Sequence, residues 1–200
     1  MTAGVIAQAA GLFAVTNFDD IVVLSLFFAQ GAGQRGAARR VVAGQYLAFT
    51  AILAVSLSVA YGASFLPNEA LPYLGLLPIG IGLWDAWKVW KNRKRGDTGQ
   101  QAEPEQGGPT VLKVATTTFA NGGDNIGVYV PVFTNVSTSE TIVYSVVFLV
   151  LVGVWCAAGR FAASRPVIAR PLARWGDILL PVVLIAIGLL ILIEGGAFGL

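Results

Sequence analysis

The sequence predicts an all-α polytopic membrane protein: six transmembrane helices forming two inverted three-helix repeats, with both termini outside. Three observations predict it. Of 200 residues, 56% are hydrophobic and 12% charged, with a mean hydropathy of +0.72, whereas soluble domains carry about 25% charged residues. All 13 Lys and Arg residues fall in alternate connections between apolar runs. A polar motif set in apolar sequence also occurs twice. Thr16-Asn17-Phe18-Asp19-Asp20-Ile21-Val22-Val23 aligns with Asn121-Gly122-Gly123-Asp124-Asn125-Ile126-Gly127-Val128 at an offset of 105 residues, matching Asp19 to Asp124, Ile21 to Ile126 and Val23 to Val128.

A spanning helix needs about 20 predominantly apolar residues, and six segments qualify: 5–29, 41–65, 71–89, 111–133, 141–161 and 178–193. The first opens apolar but has no basic n-region, and Asp19-Asp20 stand where a signal peptidase site would need small residues, so it reads as a retained span. The second ends at the tight outer turn Pro67-Asn68-Glu69. The third carries Trp84, Trp87 and Trp90 beside Lys88 and Lys91, an interfacial belt at its inner end. Residues 96–110 are rich in Gly, Gln, Glu and Pro, with too little apolar surface to offset ordering entropy. They read as a flexible cytoplasmic linker between the repeats 1–95 and 111–200 of one transmembrane domain. The fourth segment holds the second polar motif, and Ser137-x-x-Glu140 reads as a capping box starting the fifth. The sixth is the shortest.

Orientation follows from the basic residues. Arg35, Arg39 and Arg40 lie in the first connection; Lys88, Lys91, Arg93, Lys94, Arg95 and Lys113 in the third; Arg160, Arg165, Arg170 and Arg174 in the fifth. The positive-inside rule makes these cytoplasmic. Three helices per half is an odd number, so the second repeat enters from the opposite side. Ile79-Gly80-Ile81-Gly82-Leu83 resembles Ile185-Ala186-Ile187-Gly188-Leu189, a second echo of the duplication, and Leu76-Leu77-Pro78 with Leu179-Leu180-Pro181 is a third. Inverted repeats of this kind are a transporter architecture, with the site near midplane where the halves meet.

Thr16, Asp19 and Asp20 stand at i, i+3 and i+4, on one helical face, and Asn121, Asp124 and Asn125 repeat the spacing. Converging, the two faces with Asn17 offer carboxylate, amide and hydroxyl oxygens to one hard divalent cation. Gly122-Gly123 weakens its helix and frees backbone carbonyls as ligands or a hinge, and Thr117 and Thr118 line the same path. As helix-to-helix hydrogen bonding, the bland alternative accounts for Thr16, Asn17 and Asn121. It accounts poorly for three acids with no Lys, Arg or His at their depth, since ionisable groups in the bilayer are expensive. One Cys and no His exclude disulfide frameworks, Cys/His zinc sites and thiolate redox motifs. Cys156 reads as packing, and Asp85 with Lys88 and Asp177 with Arg174 as interfacial pairs. The segregated basic residues form no nucleic-acid footprint.

At these residues the chain resembles the cadmium-resistance transporter family, within the wider lysine-exporter superfamily. Thr16 to Asp20 and the longer run Ala120-Asn121-Gly122-Gly123-Asp124-Asn125-Ile126-Gly127-Val128-Tyr129-Val130-Pro131 carry the resemblance, which covers essentially the whole chain. It implies a multi-pass protein of the bacterial plasma membrane, embedded in the lipid bilayer, that is no enzyme and needs no cofactor. Its substrate would be a divalent cation, Cd²⁺ or similar, exported along the two acidic motifs; related branches move Mn²⁺, Ca²⁺ or amino acids. Cadmium is soft and prefers thiolate, yet the only sulfurs are Met1 and Cys156, so an oxygen site would accept Cd²⁺ without strongly rejecting hard ions. Coupling to protons is the expected mechanism, the crowded acids exchanging cation for proton. An intramembrane aspartyl protease is disfavoured because Asn121 replaces the first glycine of its Gly-x-Gly-Asp motif. An amino-acid exporter is disfavoured because three acids with no Lys, Arg or His nearby in their own apolar runs repel a carboxylate. Gly123-x-x-x-Gly127 permits close helix approach, inside the bundle or in a homodimer.

Overall fold

The computed structural model of the chain describes residues 2–63, 65, 67, 70–95, 108–165, 182 and 185–193. Helix α1 spans Thr2–Thr16, α2 Asp20–Gln30 and α3 Ala37–Ala63; a 3-10 turn, Leu71–Gly75, leads into α4, Leu76–Arg95. Then come α5, Val111–Asn121, α6, Gly123–Asn135, and α7, Thr138–Ala163, and residues 185–193 are again helical. Among the described residues there is no strand. Glu69, residues 96–107, Arg174, Asp177 and Glu194 lie outside the described residues, as do the side chains of Asp85 and Lys88.

The two apolar runs that carry the acidic motifs are not continuous helices, which corrects the expectation of unbroken spans over 5–29 and 111–133. The first divides into α1 and α2, bent by 62°. At the bend the Thr16 hydroxyl donates to the Leu12 carbonyl at 3.0 Å and the Asn17 side-chain amide to the Phe13 carbonyl at 2.9 Å, which also keeps the Asn17 backbone N–H at 3.0 Å; back-bonding of this kind bends helices. The ladder restarts at Asp19, whose carbonyl accepts from the N–H groups of Val22 and Val23 at 2.9 and 3.3 Å. The second run divides at Gly122, buried between α5 and α6. With 11 and 13 residues, α5 and α6 are about 16 and 20 Å long, too short singly for a hydrocarbon core of about 30 Å. Helices α3 and α7 are each long and apolar enough to cross a membrane, and α1 with α2 make a third span if the bent pair counts as one.

Turn chemistry explains the element ends. Gly33 and Gly36, at φ 79° and 77°, supply the left-handed backbone between α2 and α3. The capping box of α7 forms as the sequence predicts: the Glu140 carboxylate accepts from the Ser137 N–H at 2.9 Å and the Ser137 hydroxyl accepts from the Glu140 N–H at 3.3 Å. Trp84 and Trp87 pack with ring centroids 5.3 Å apart and the Lys91 ammonium lies 4.8 Å from the Trp87 ring, all on the outside of α4.

Packing is reciprocal. Helices α1 and α2 lie on α7, while α5 and α6 lie on α3. Gly44 meets the start of α5 at Val111 and Val114, and Ile52 meets Gly122, so α3 and α5 run the same way. Gln45 reaches Asp20 whereas Phe49 reaches Phe13, so α3 runs against α1 and α2. The two broken helices therefore run in opposite directions. Between them sits an aromatic core of Phe13, Phe49, Tyr129, Phe133, Tyr144 and Phe148, with Tyr129 and Phe148 at 4.8 Å. The 3-10 turn and α4 cover α6, and Gly75 and Gly188 bring the third and sixth apolar segments into backbone contact.

Candidate functional site

Both breaks come together through Asn17. Its Nδ2 shares two protons among the Phe13 carbonyl at 2.9 Å, Thr16 Oγ1 at 2.9 Å and the Tyr129 hydroxyl at 2.8 Å. A backbone carbonyl only accepts, so that atom is the nitrogen, and Asn17 Oδ1 faces Asn125. Asn125 Nδ2 donates to it at 3.1 Å. The orientation passed along this chain leaves Asn125 Oδ1 as the one buried side-chain polar atom, among the described residues, without a hydrogen-bond partner. The Thr16 hydroxyl spends its proton on Leu12, so Tyr129 donates to Thr16 across 3.0 Å. Helix α7 closes the break from the other side, the Trp155 indole N–H donating to the Asn17 carbonyl at 2.6 Å.

Asp20 is 5% exposed and Asn125 4%. The Gln45 amide of α3 donates to Asp20 Oδ2 at 2.9 Å, and the Thr118 hydroxyl of α5 donates to Gln45 Oε1 at 2.7 Å. Asp19 and Asp124 stand close enough for their charges to act on Asp20. Asp20 and Asp124 each occupy the first turn of the helix that follows a break, where the positive end of the helix dipole favours a carboxylate. The burial of Asp20 thus has two partial remedies that the sequence does not advertise: a helix N-terminus and an uncharged amide.

The sequence-predicted residues separate into groups. Thr16, Asn17, Asp20 and Asn125 are buried at the junction; Asp19 and Asp124 are half-buried beside it, Asp124 accepting from the Asn125 N–H at 2.9 Å. Asn121 is exposed at the end of α5, and Gly123 is exposed with open space around it. Gly122 is buried against the Ile52 side chain. Thr118 joins the network through Gln45. Gln45, Tyr129 and Trp155 are the members the motif analysis did not assign; the only sequence signal for Gln45 is a single amide inside an apolar run. Cys156 is buried in the core. Among the described residues, no group of three or more His, Cys, Asp and Glu gathers to hold a metal ion, so any cation here would rely on amide, hydroxyl or backbone oxygens as well.

The profile of the cadmium resistance transporters matches residues 13–200, which takes in both breaks and every residue of the junction. The chain belongs to the cadmium resistance transporter family. Family membership and the apolar helices together make it a membrane protein and a transporter. Comparison with curated proteins and with solved structures finds no match. The site of this cadmium resistance transporter is accordingly described from its own residues.

Proposed function

We propose that the protein exports divalent cations across the bacterial plasma membrane, with the cation passing the junction of the two helix breaks. The observation that carries this is Asn125 Oδ1. An unsatisfied buried acceptor costs about 1–3 kcal/mol, and here it lies on a residue adjoining Asp124, in the junction that also holds Asp20. A divalent cation satisfies an orphan oxygen and the neighbouring acids at once. A helix dipole contributes about 0.3–1 kcal/mol, less than the several kcal/mol that burying an ion costs, so the buried Asp20 still favours a cation. Asp19, Asp20 and Asp124 are proposed to line the cation's path in succession rather than to grip one ion together, with Asn125 Oδ1 as the amide ligand and Asn121 at the mouth. Thr16 and Asn17 hold the junction together through Tyr129.

The opposed directions of the broken helices and their reciprocal packing support a six-span protein of two inverted repeats, and the placement of the Lys and Arg residues puts both termini outside by the positive-inside rule. Irregular backbone at membrane depth is tolerated where it lines a cavity rather than lipid, and broken helices at the repeat interface are where such transporters bind their ions. Entry of protons replaces the cation on the acids and drives the return. The test is uptake into inside-out vesicles containing the purified protein, comparing Cd²⁺, Mn²⁺, Zn²⁺, Ca²⁺ and Mg²⁺ under an imposed pH gradient. Cd²⁺ should accumulate, and Asp20→Asn or Asp124→Asn should abolish accumulation without lowering protein abundance. Accumulation of no cation overturns the exporter; accumulation indifferent to the gradient overturns the proton coupling alone.

A further inference from the structure

Gln45 lies outside both repeated motifs, yet it bridges three helices. Its amide is oriented from both ends. An ionised carboxylate only accepts, so Nε2 faces Asp20 and Oε1 is left for the Thr118 hydroxyl. Gln45 and Thr118 are both 2% exposed. At the neighbouring Gly44 α3 and α5 approach closely: a Cβ there would sit 2.6 Å from Val114 Cβ and 2.7 Å from the Val111 carbonyl. The amide is thus mounted on the unbroken helix, at a fixed distance from the broken one.

Holding Oδ2 bears on what Asp20 can offer a cation. Ca²⁺ collects six to eight oxygens and uses carboxylates with one or both oxygens. Cd²⁺, near Ca²⁺ in size but softer, depends less on the number of hard oxygens. Size cannot separate the two ions at this junction; the count of oxygens can. We infer that Gln45, steadied by Thr118, sets the cation selectivity of the site by holding Asp20 to one-oxygen presentation, which handicaps Ca²⁺ against Cd²⁺. The inference rests on the exporter reading above. Gln45 is a positioning residue here, acting through Asp20.

The test is uptake of Cd²⁺ and of Ca²⁺, at equal free concentration, into proteoliposomes of the wild-type chain, Gln45→Met, Thr118→Val, Thr118→Ser and the double variant Gln45→Met/Thr118→Val. Groups that orient a metal ligand typically matter about 10-fold or more, so the Cd²⁺-to-Ca²⁺ ratio should fall roughly 10-fold in Gln45→Met. Thr118→Val should shift it the same way by a smaller factor, Thr118→Ser should restore it, and the double variant should match Gln45→Met, as members of one chain do. An unchanged ratio in Gln45→Met and Thr118→Val, including equal loss of both ions, overturns the inference. Should Gln45→Met fail to fold, Thr118→Val decides, because it leaves Asp20 its donor. A wild-type chain that moves neither ion overturns the exporter reading and this inference together; an active one with an unchanged variant ratio overturns this inference alone.

Discussion

Asn17 and Asn125 share one hydrogen bond of 3.1 Å, but they stand in different environments. Asn17 satisfies a carbonyl, a threonine and a tyrosine besides its partner amide. Asn17→Leu strips all of these, and should cost about 2 kcal/mol of stability, within the range for leaving buried polar groups unpaired. Asn125→Leu removes an oxygen that has no partner while orphaning only Asn17 Oδ1, so its stability should stay within about 1 kcal/mol of wild type, while Cd²⁺ transport is lost. Thermal unfolding in detergent beside vesicle uptake checks both; an Asn125→Leu protein that transports normally would remove Asn125 Oδ1 from the cation path. The acids and both asparagines draw attention in the sequence because polar residues stand out in apolar runs, and Asp19 also recurs as Asp124 at a fixed offset. Tyr129 does not, since an aromatic in an apolar helix reads as packing until its hydroxyl is seen on Asn17. Gln45 finds Thr118 across 73 residues, a separation at which no spacing rule operates.

At the scale of the element, the breaks depend on different chemistry. Gly122 is held by its neighbour: a Cβ there runs into Cδ1 of Ile52, so Gly122→Ala should destabilise by about 1–3 kcal/mol, as overpacking does. Ile52→Val deletes the clashing atom, and the double variant should recover most of that loss in a thermal melt; no recovery would mean that the break, and not the contact, sets the cost. Gly123 has open space where a Cβ would go, so Gly123→Ala should stabilise by about 0.5–1 kcal/mol through chain entropy. If Gly123 serves as a hinge, transport falls even as stability rises. Gly122-Gly123 announced the second break in sequence. The first went unread because hydropathy over a window counts apolar residues and is blind to which carbonyls the side chains of Thr16 and Asn17 engage.

For the whole molecule, chain direction is the testable property. Residues 31–36 precede α3 and residues 136–137 precede α7, and the proposed inverted arrangement would put these turns on opposite sides of the membrane. In a Cys156→Ala background, Ala32→Cys should react with an impermeant thiol reagent only from the cytoplasmic side and Ser139→Cys only from outside; both positions are exposed. Labelling of both from one side would reject the topology. Charge placement carries an expected orientation, but not which helix lies on which, because that follows from side chains that meet only after folding. Here α1 and α2 rest on α7, and α5 and α6 rest on α3. Each half lends its broken helix to the long helix of the other, an exchange of arms within a single chain. Among the described residues, neither half builds a core without the other. A half made alone would find the surface it lacks on a second copy of itself, facing the other way.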